Sequence, residues 1–281
     1  MINIVADHPL RIGNAGWRKA VLKEHSRILS HSSPGSTSLN ISGLSTIIDV
    51  AAKSKEFSTL QHLASKDFAE HLKINENSNL KNSFCFKLSP ESLSLMTSSI
   101  KATGIARDAA SALGGRDIVF HSPCGLFAKT VEINENHDIA KVDGSGFWHR
   151  DSIGCAIKIF VCLDARGRGV RTELIQGSQI MDPFVREWEM ARVNPSGKDL
   201  CQFEQSVFMS NASKIASVSL SAGQCFAFNT NAVHRGAYIL NPPGSRLTVQ
   251  ITMTTRTNAK LFDLIHQTKY SENLCDIHGI Q

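Results

Sequence analysis

From Ile118 the sequence changes texture. Short runs rich in Val, Ile, Phe and Thr follow one another, separated by Gly, Asn, Asp and Pro: Ile118–His121, Leu126–Ile133, Cys155–Leu163, Thr172–Ile175, Ile215–Leu220, Cys225–Asn229, Val233–Leu240 and Leu247–Thr254. β-branched and aromatic residues suit a pleated, half-buried surface. Closely spaced runs of this kind, punctuated by turn residues, predict an antiparallel sandwich or barrel. The N-terminal part reads differently. Helical spacing runs from Trp17 to Leu29, from Leu44 to Lys53, and from Ser58 to Lys73, where Ser58 is placed to cap and Leu60, Leu63, Ala64 and Phe68 recur on one face. His31 to Asn40 and Asn75 to Asn82 read as loops. Ser89-Pro90-Glu91 opens a longer helix that Gly114-Gly115 closes, and a last helix covers Asn258 to Tyr270. The expectation is a mainly β chain with flanking helices, built as one jelly-roll-type double sheet. It forms one domain: a helical flank over 1–115, a β core over 116–256 with an insertion at about 181–214, and a closing helix within 257–281.

Composition narrows the class. At 42% hydrophobic residues the chain is an ordinary globular one, which excludes a disordered or fibrous protein. Its net charge of +5 favours anionic substrates but lacks the dense basic patch of a nucleic-acid binder. The seven cysteines form no CxxC and no even framework, as expected for reduced thiols in a cytosol-like compartment. Neither a secretory leader nor an apolar run of membrane-spanning length is present, so a cytoplasmic location with no membrane is expected.

The chemistry centres on Gly146-Phe147-Trp148-His149-Arg150-Asp151. On a strand, residues i and i+2 point to the same face, so His149 and Asp151 can reach one metal ion while Arg150 points away. A second imidazole from elsewhere would complete two histidines and one carboxylate on one face of the metal. That donor set leaves positions open for further ligands on a redox-active iron. Downstream, His234 stands on one predicted strand, Pro242-Pro243-Gly244 makes a turn, and Arg246 opens the next strand. The planar guanidinium of Arg246 suits the distal carboxylate of a chelating oxoacid, because it forms two parallel charge-assisted bonds. Thr248 follows on the same face with a hydroxyl.

With these pieces in this order, roughly Leu126 to Thr254 resembles the phytanoyl-CoA dioxygenase-like branch of the iron(II)/2-oxoglutarate oxygenases. Trp148-His149-Arg150-Asp151 is similar to the family's His-x-Asp strand, and Lys158 to Asp164 to the apolar strand that follows it. Glu173 to Gln179 resembles the family's PGSH turn, with Gln176 and Gln179 where Pro and His are usual. Gly223 to Phe228 is similar to the strand before the distal histidine. His234 and Arg246, twelve positions apart, match the distal ligand and the oxoacid-binding arginine. Gly236 stands where some members carry a serine for the oxoacid. The resemblance implies a double-stranded β-helix (jelly roll, cupin-like) and an enzyme holding Fe(II) on His149, Asp151 and His234. It further implies 2-oxoglutarate on Arg246, and dioxygen and a small-molecule substrate as reactants. Hydroxylation is favoured over halogenation, because halogenating relatives replace the carboxylate that Asp151 supplies.

Other residues invite two readings. Lys158 interrupts an apolar strand and either binds the oxoacid or an anionic substrate, or covers apolar surface with its stem while its amine reaches water. Lys129 raises the same question. Arg166, Arg168 and Arg171 read as a solvated hairpin tip, Trp148 and Arg235 as packing beside the ligands, and His121 and His137 as histidines outside any ligand spacing. The 181–214 insertion is long for a simple connection and suits a substrate lid or an inert excursion equally. The competing readings of the whole chain are a non-catalytic jelly-roll protein that binds a metabolite or sugar, and a cupin-like hydrolase or isomerase that uses the same ligands on another metal.

Overall fold

The computed structural model describes residues 15–31, 37–75, 83–115, 117–130, 149, 156–167, 169–179, 214–238, 244–266 and 275–276. Six helices come first among them: α1 (Ala15–His31), α2 (Ser38–Ile41), α3 (Val50–Lys53), α4 (Phe57–Ile74), α5 (Pro90–Thr103) and α6 (Ile105–Ala112). Two short strands, β1 (Ile48–Asp49) and β2 (Ser83–Phe86), are interleaved with them. The β-rich part supplies β3 (Ile118–Lys129), β4 (Ala156–Arg166), β5 (Val170–Ile175), β6 (Ile215–Val218), β7 (Gln224–Asn229), β8 (His234–Tyr238) and β9 (Ser245–Thr255). A helix over Arg256–His266, here α7, and a strand over Cys275–Asp276, here β10, follow.

The strands form two sheets. The larger has the order β1-β7-β4-β9-β3-β10, with β2 also on β3, and the smaller has the order β6-β5-β8. Among the described residues every strand pairing is antiparallel. Sequence neighbours such as β4 and β5 lie in different sheets, which is the crossing pattern of a jelly roll. The protein is thus a double-stranded β-helix with flanking helices, as the strand pattern predicts.

Alternation along the central strands sorts their side chains into two layers. Ile157, Ile159, Val161 and Leu163 of β4 face the helices, together with Val249, Ile251 and Met253 of β9, and pack against Leu60, Met96, Ile100, Ile105 and Ala109. Phe160 and Cys162 point the other way, towards the small sheet, and join Phe226, Phe228, Leu174 and Val218. Burying each such aliphatic or aromatic side chain stabilises by about 1.5–3 kcal/mol. This two-sided burial explains why β4 reads as a nearly unbroken apolar run.

Several boundaries differ from the sequence expectation. The helix expected over Leu44–Lys53 exists only as its last turn, α3. Its first half lies extended along β7, with Leu44 bridging Phe228 and Ile48 opposite Cys225. Thr46-Ile47-Ile48 is β-branched and an open strand edge was available to it. Ser58 caps nothing: α4 starts at Phe57 after Glu56, and the buried Ser54 supplies the turn's hydroxyl, accepting from Glu56 N at 3.3 Å. The long helix after Ser89 is two, α5 and α6, divided at Gly104, whose φ of 79° only glycine adopts at little cost. Ser38–Ile41 makes one helical turn where a loop was expected, and β2 was not foreseen. Ile118–His121 and Leu126–Lys129 are parts of one strand, β3, interrupted by an irregularity between His121 and Cys124, and residues 131–133 of the second run lie outside the described residues. The last helix begins at Arg256 rather than Asn258. The 181–214 insertion lies outside the described residues except for Lys214. Among the described residues no helix is long and apolar enough to cross a membrane.

Candidate functional site

His234 opens β8 in the small sheet, opposite Leu174 of β5. Its backbone also bridges His149: His149 N donates to His234 O and His234 N to His149 O, both at 2.9 Å. Residues directly opposed in an antiparallel pair project to the same side. The two imidazoles accordingly stand side by side, with ring centroids 4.5 Å apart. Because Leu174 belongs to the layer between the sheets, that side is the interior.

His234 is held from three directions. It is 4% exposed, its ring lies 4.6 Å from that of Phe228, and its Nδ1 lies 2.9 Å from the carbonyl of Ala232. A carbonyl only accepts, so Nδ1 carries the hydrogen and Nε2 is left with its lone pair. Metal-binding histidines are oriented this way, with one nitrogen donating to the protein and the other facing the ion. The turn after β5 fixes the backbone just before it, where Ser178 Oγ accepts from Val233 N at 2.8 Å and donates to Ile175 O at 2.6 Å. Gln179 donates to Asn40 O at 3.0 Å and ties the turn to the helical flank.

Arg246 lies on β9 between Ala128 of β3 and Ala165 of β4. Two small neighbours leave its long side chain free to rise from the sheet. The guanidinium passes 5.9 Å above the centre of the Phe160 ring and reaches the small sheet, where Nη2 donates to Thr172 Oγ1 at 3.4 Å. It is 5% exposed. Thr172 sits opposite Gly236, two residues along β8 from His234. At about 3.4 Å per residue, the guanidinium and the imidazole pair are some 7 Å apart along the strand. Gly236 places no side chain between them.

The remaining predicted residues separate. Thr248 is fully buried on the face of Arg246, but its hydroxyl donates to Leu126 O at 3.2 Å and offers only lone pairs to a ligand. Lys158 is half-buried on the same inner face, beside Phe228 and Thr252. It stands seven residues along β4 from Ala165, on the order of 20 Å from the backbone of Arg246, so the two do not share one small carboxylate. Asp151, Trp148, Arg150, Arg168 and His137 lie outside the described residues. Arg235 points to the outer face of the small sheet and, with Arg171, brackets Glu173 at 2.8 and 3.2 Å. Arg171 therefore belongs to a strand and not to a hairpin tip, whereas Arg166 is 82% exposed beside Asp164. Lys129 is exposed at the end of β3. His121 is a buried, bonded histidine, with Asp263 Oδ1 at 3.4 Å and Ser122 Oγ at 2.7 Å.

Thr172 is the polar residue that sequence reading missed. Its strand was recognised, but its register against Gly236 is a tertiary fact. The phenylalanines of the interior were likewise read only as strand formers. Phe160, Phe226 and Phe228 stack with centroids 5.5–5.9 Å apart and floor the space between His234 and Arg246.

Among the described residues no cluster of three His, Cys, Asp or Glu side chains surrounds a metal position. Two imidazoles do converge there, and the chemistry of this donor pair fits a divalent iron. A buried guanidinium across from a hydroxyl fits a carboxylate. No protein-family model matches the sequence, and no curated protein is found similar to it. Similar solved structures include the non-heme α-ketoglutarate-dependent epimerase SnoN from nogalamycin biosynthesis, 15% identical over 85% of this chain and 84% of that one, with a TM-score of 0.48. EctD from S. alaskensis is 14% identical over 79% and 76% of the two chains, with a TM-score of 0.48. AviO1 from Streptomyces viridochromogenes Tue57 is 14% identical over 84% and 94%, with a TM-score of 0.46.

Proposed function

We propose that this protein is an iron(II)- and 2-oxoglutarate-dependent dioxygenase of the phytanoyl-CoA dioxygenase-like kind, acting on a small organic molecule. The observation that carries the reading is the pairing of His149 with His234 on the inner face of the small sheet, with Arg246 reaching Thr172 one step further along. In this reading His149, Asp151 and His234 hold the metal, and Arg246 with Thr172 holds the distal carboxylate of the oxoacid. Bound there, iron(II) and 2-oxoglutarate supply oxidative decarboxylation by dioxygen, giving succinate, carbon dioxide and a hydroxylated substrate.

The chain's own residues prepare the site. Ala232 O fixes the His234 tautomer, so Nε2 is presented without reorganisation. Arg246 brings a buried positive charge to the place where an anion must lose its water, and the low dielectric there strengthens the pairing. The three stacked phenylalanines keep water from the floor of the cavity. The net charge of +5 and the half-buried Lys158 support an anionic substrate.

The test is anaerobic addition of iron(II) and 2-oxoglutarate, watched for the visible metal-to-ligand charge-transfer band, followed by oxygen and a succinate assay. The band and stoichiometric succinate are expected from the wild type, and neither from His234→Ala or Asp151→Ala. A wild-type protein that takes up iron but develops no band with 2-oxoglutarate would overturn the assignment.

A further inference from the structure

Away from the imidazole pair, two thiols meet at the edge of the large sheet. Cys85 on β2 faces Leu126 of β3, and Cys124 lies two residues from Leu126 on the same face. Gln250 of β9, opposite Cys124, directs its side-chain amide at both sulfurs, with Nε2 3.0 Å from Cys124 Sγ and 3.9 Å from Cys85 Sγ. Diagonal neighbours on adjacent strands are ordinarily too far apart to bond covalently. Here the irregularity between His121 and Cys124, with Ser122 at a φ of 49°, displaces this stretch of β3. The pairing of β2 ends at Phe86 opposite Gly125, one residue beyond Cys85, so the strand can adjust. Cys85 is exposed, Cys124 is half-buried, and a cavity of about 1070 Å³ borders both.

We propose that Cys85 and Cys124 form a peroxide-reactive dithiol, in which Cys85 is the attacking sulfur and Cys124 the resolving one. The hydrogen bond and charge of Cys85 push the Cys124 thiol well above the usual range, with burial adding to it. Cys85, the exposed sulfur of the two, is the one a small oxidant reaches, and it accepts hydrogen bonds from the Cys124 thiol and the Gln250 amide. An exposed thiolate beside a second thiol is the arrangement that selects a cysteine for oxidation. The buried Cys162 and Cys225 lack that exposure, and burial pushes them up to about 11 and about 12. With hydrogen peroxide the chemistry balances. The Cys85 thiolate attacks one oxygen, the O–O bond breaks, and hydroxide leaves with a proton as water, giving a sulfenic acid. The Cys124 sulfur then displaces the sulfenic hydroxyl, its proton leaves with it as a second water, and the S–S bond forms. Two sulfurs lose two electrons and the peroxide gains them.

The experiment uses the full chain and does not depend on iron or oxoacid. Protein treated with one equivalent of hydrogen peroxide is alkylated, digested with trypsin without reduction, and analysed by mass spectrometry. The expected product joins the peptides 82–87 and 117–129. In Cys124→Ser the reaction stops at the Cys85 sulfenic acid, which dimedone traps. Gln250→Leu removes one donor to the thiolate and slows Cys85 alkylation at neutral pH by about three- to tenfold, the effect of up to one unit in thiol acidity. Recovery of both cysteines as separately alkylated peptides, or a Cys85 linked to any other cysteine, would overturn the proposal.

Discussion

Arg246 carries the strongest expectation at the scale of single residues. Its guanidinium is buried and bonded across the sheets to Thr172, and in the proposed function it holds the oxoacid's distal carboxylate. A hydrogen bond to a charged group contributes about 1.5–3 kcal/mol. Arg246→Ala should therefore weaken 2-oxoglutarate binding by about ten- to a hundredfold while leaving iron binding intact, measured by titrating the charge-transfer band. Unchanged oxoacid affinity would remove Arg246 from the site. A different residue governs acid sensitivity. Burial holds the His121 imidazole below its usual value of 6.5, against the opposing pull of Asp263. Below that pH the unfolded chain takes up a proton that the folded chain refuses, so stability falls as the pH drops from 6.5 towards the depressed folded value. The melting temperature of the wild type should decline between pH 7 and pH 5. His121→Asn should flatten that decline, and an equal slope in both proteins would acquit the residue.

Single contacts decide how the elements sit together. Gly125 on β3 lies opposite Phe86 on β2, and the ring covers it so closely that a Cβ there would come within 2.1 Å of the ring's Cζ. Phe86 is 3% exposed and packs with Phe68 of α4, whose ring also stacks on Phe127. The glycine thus seats the aromatic cluster that joins β2 to α4 and the large sheet. Gly125→Ala should destabilise the protein by about 1–3 kcal/mol through overpacking, read as a lower midpoint in urea unfolding. A midpoint within error of wild type would mean that the ring moves aside freely. Asp67 makes a related link: one carboxylate oxygen accepts from Ser89 N, Ser89 Oγ and Ser92 Oγ and anchors the start of α5 to α4.

At the scale of the whole molecule, the candidate site belongs to neither sheet alone. His234 comes from the small sheet, Arg246 from the large one, and the stacked phenylalanines fill the space between them. A ligand bridging both is bound by the folded protein and not by the unfolded chain. At a hundredfold excess over Kd it stabilises by about 2.7 kcal/mol. For a protein of this size that corresponds to roughly 4–6 °C in melting temperature. Anaerobic iron(II) with 2-oxoglutarate should produce such a rise in the wild type and not in His234→Ala, as followed by differential scanning calorimetry. An identical rise in the variant would place the ligands elsewhere.

The sequence by itself determined the double sheet, because alternation and β-branched runs are local properties that survive without knowledge of any partner. It also marked His149, Asp151, His234 and Arg246, since two-residue spacing on a strand and a Pro-Gly turn before an arginine are local as well. Only tertiary structure decided that Leu44–Lys53 would mostly pair with β7 rather than coil, because the free edge of a sheet outweighs a weak helical preference. It also decided that Thr172, not a residue at 236, would meet Arg246, and that Cys85 and Cys124 would share one amide. Register across strands depends on which bulges and turns intervene, and no window of sequence contains both partners of such a contact.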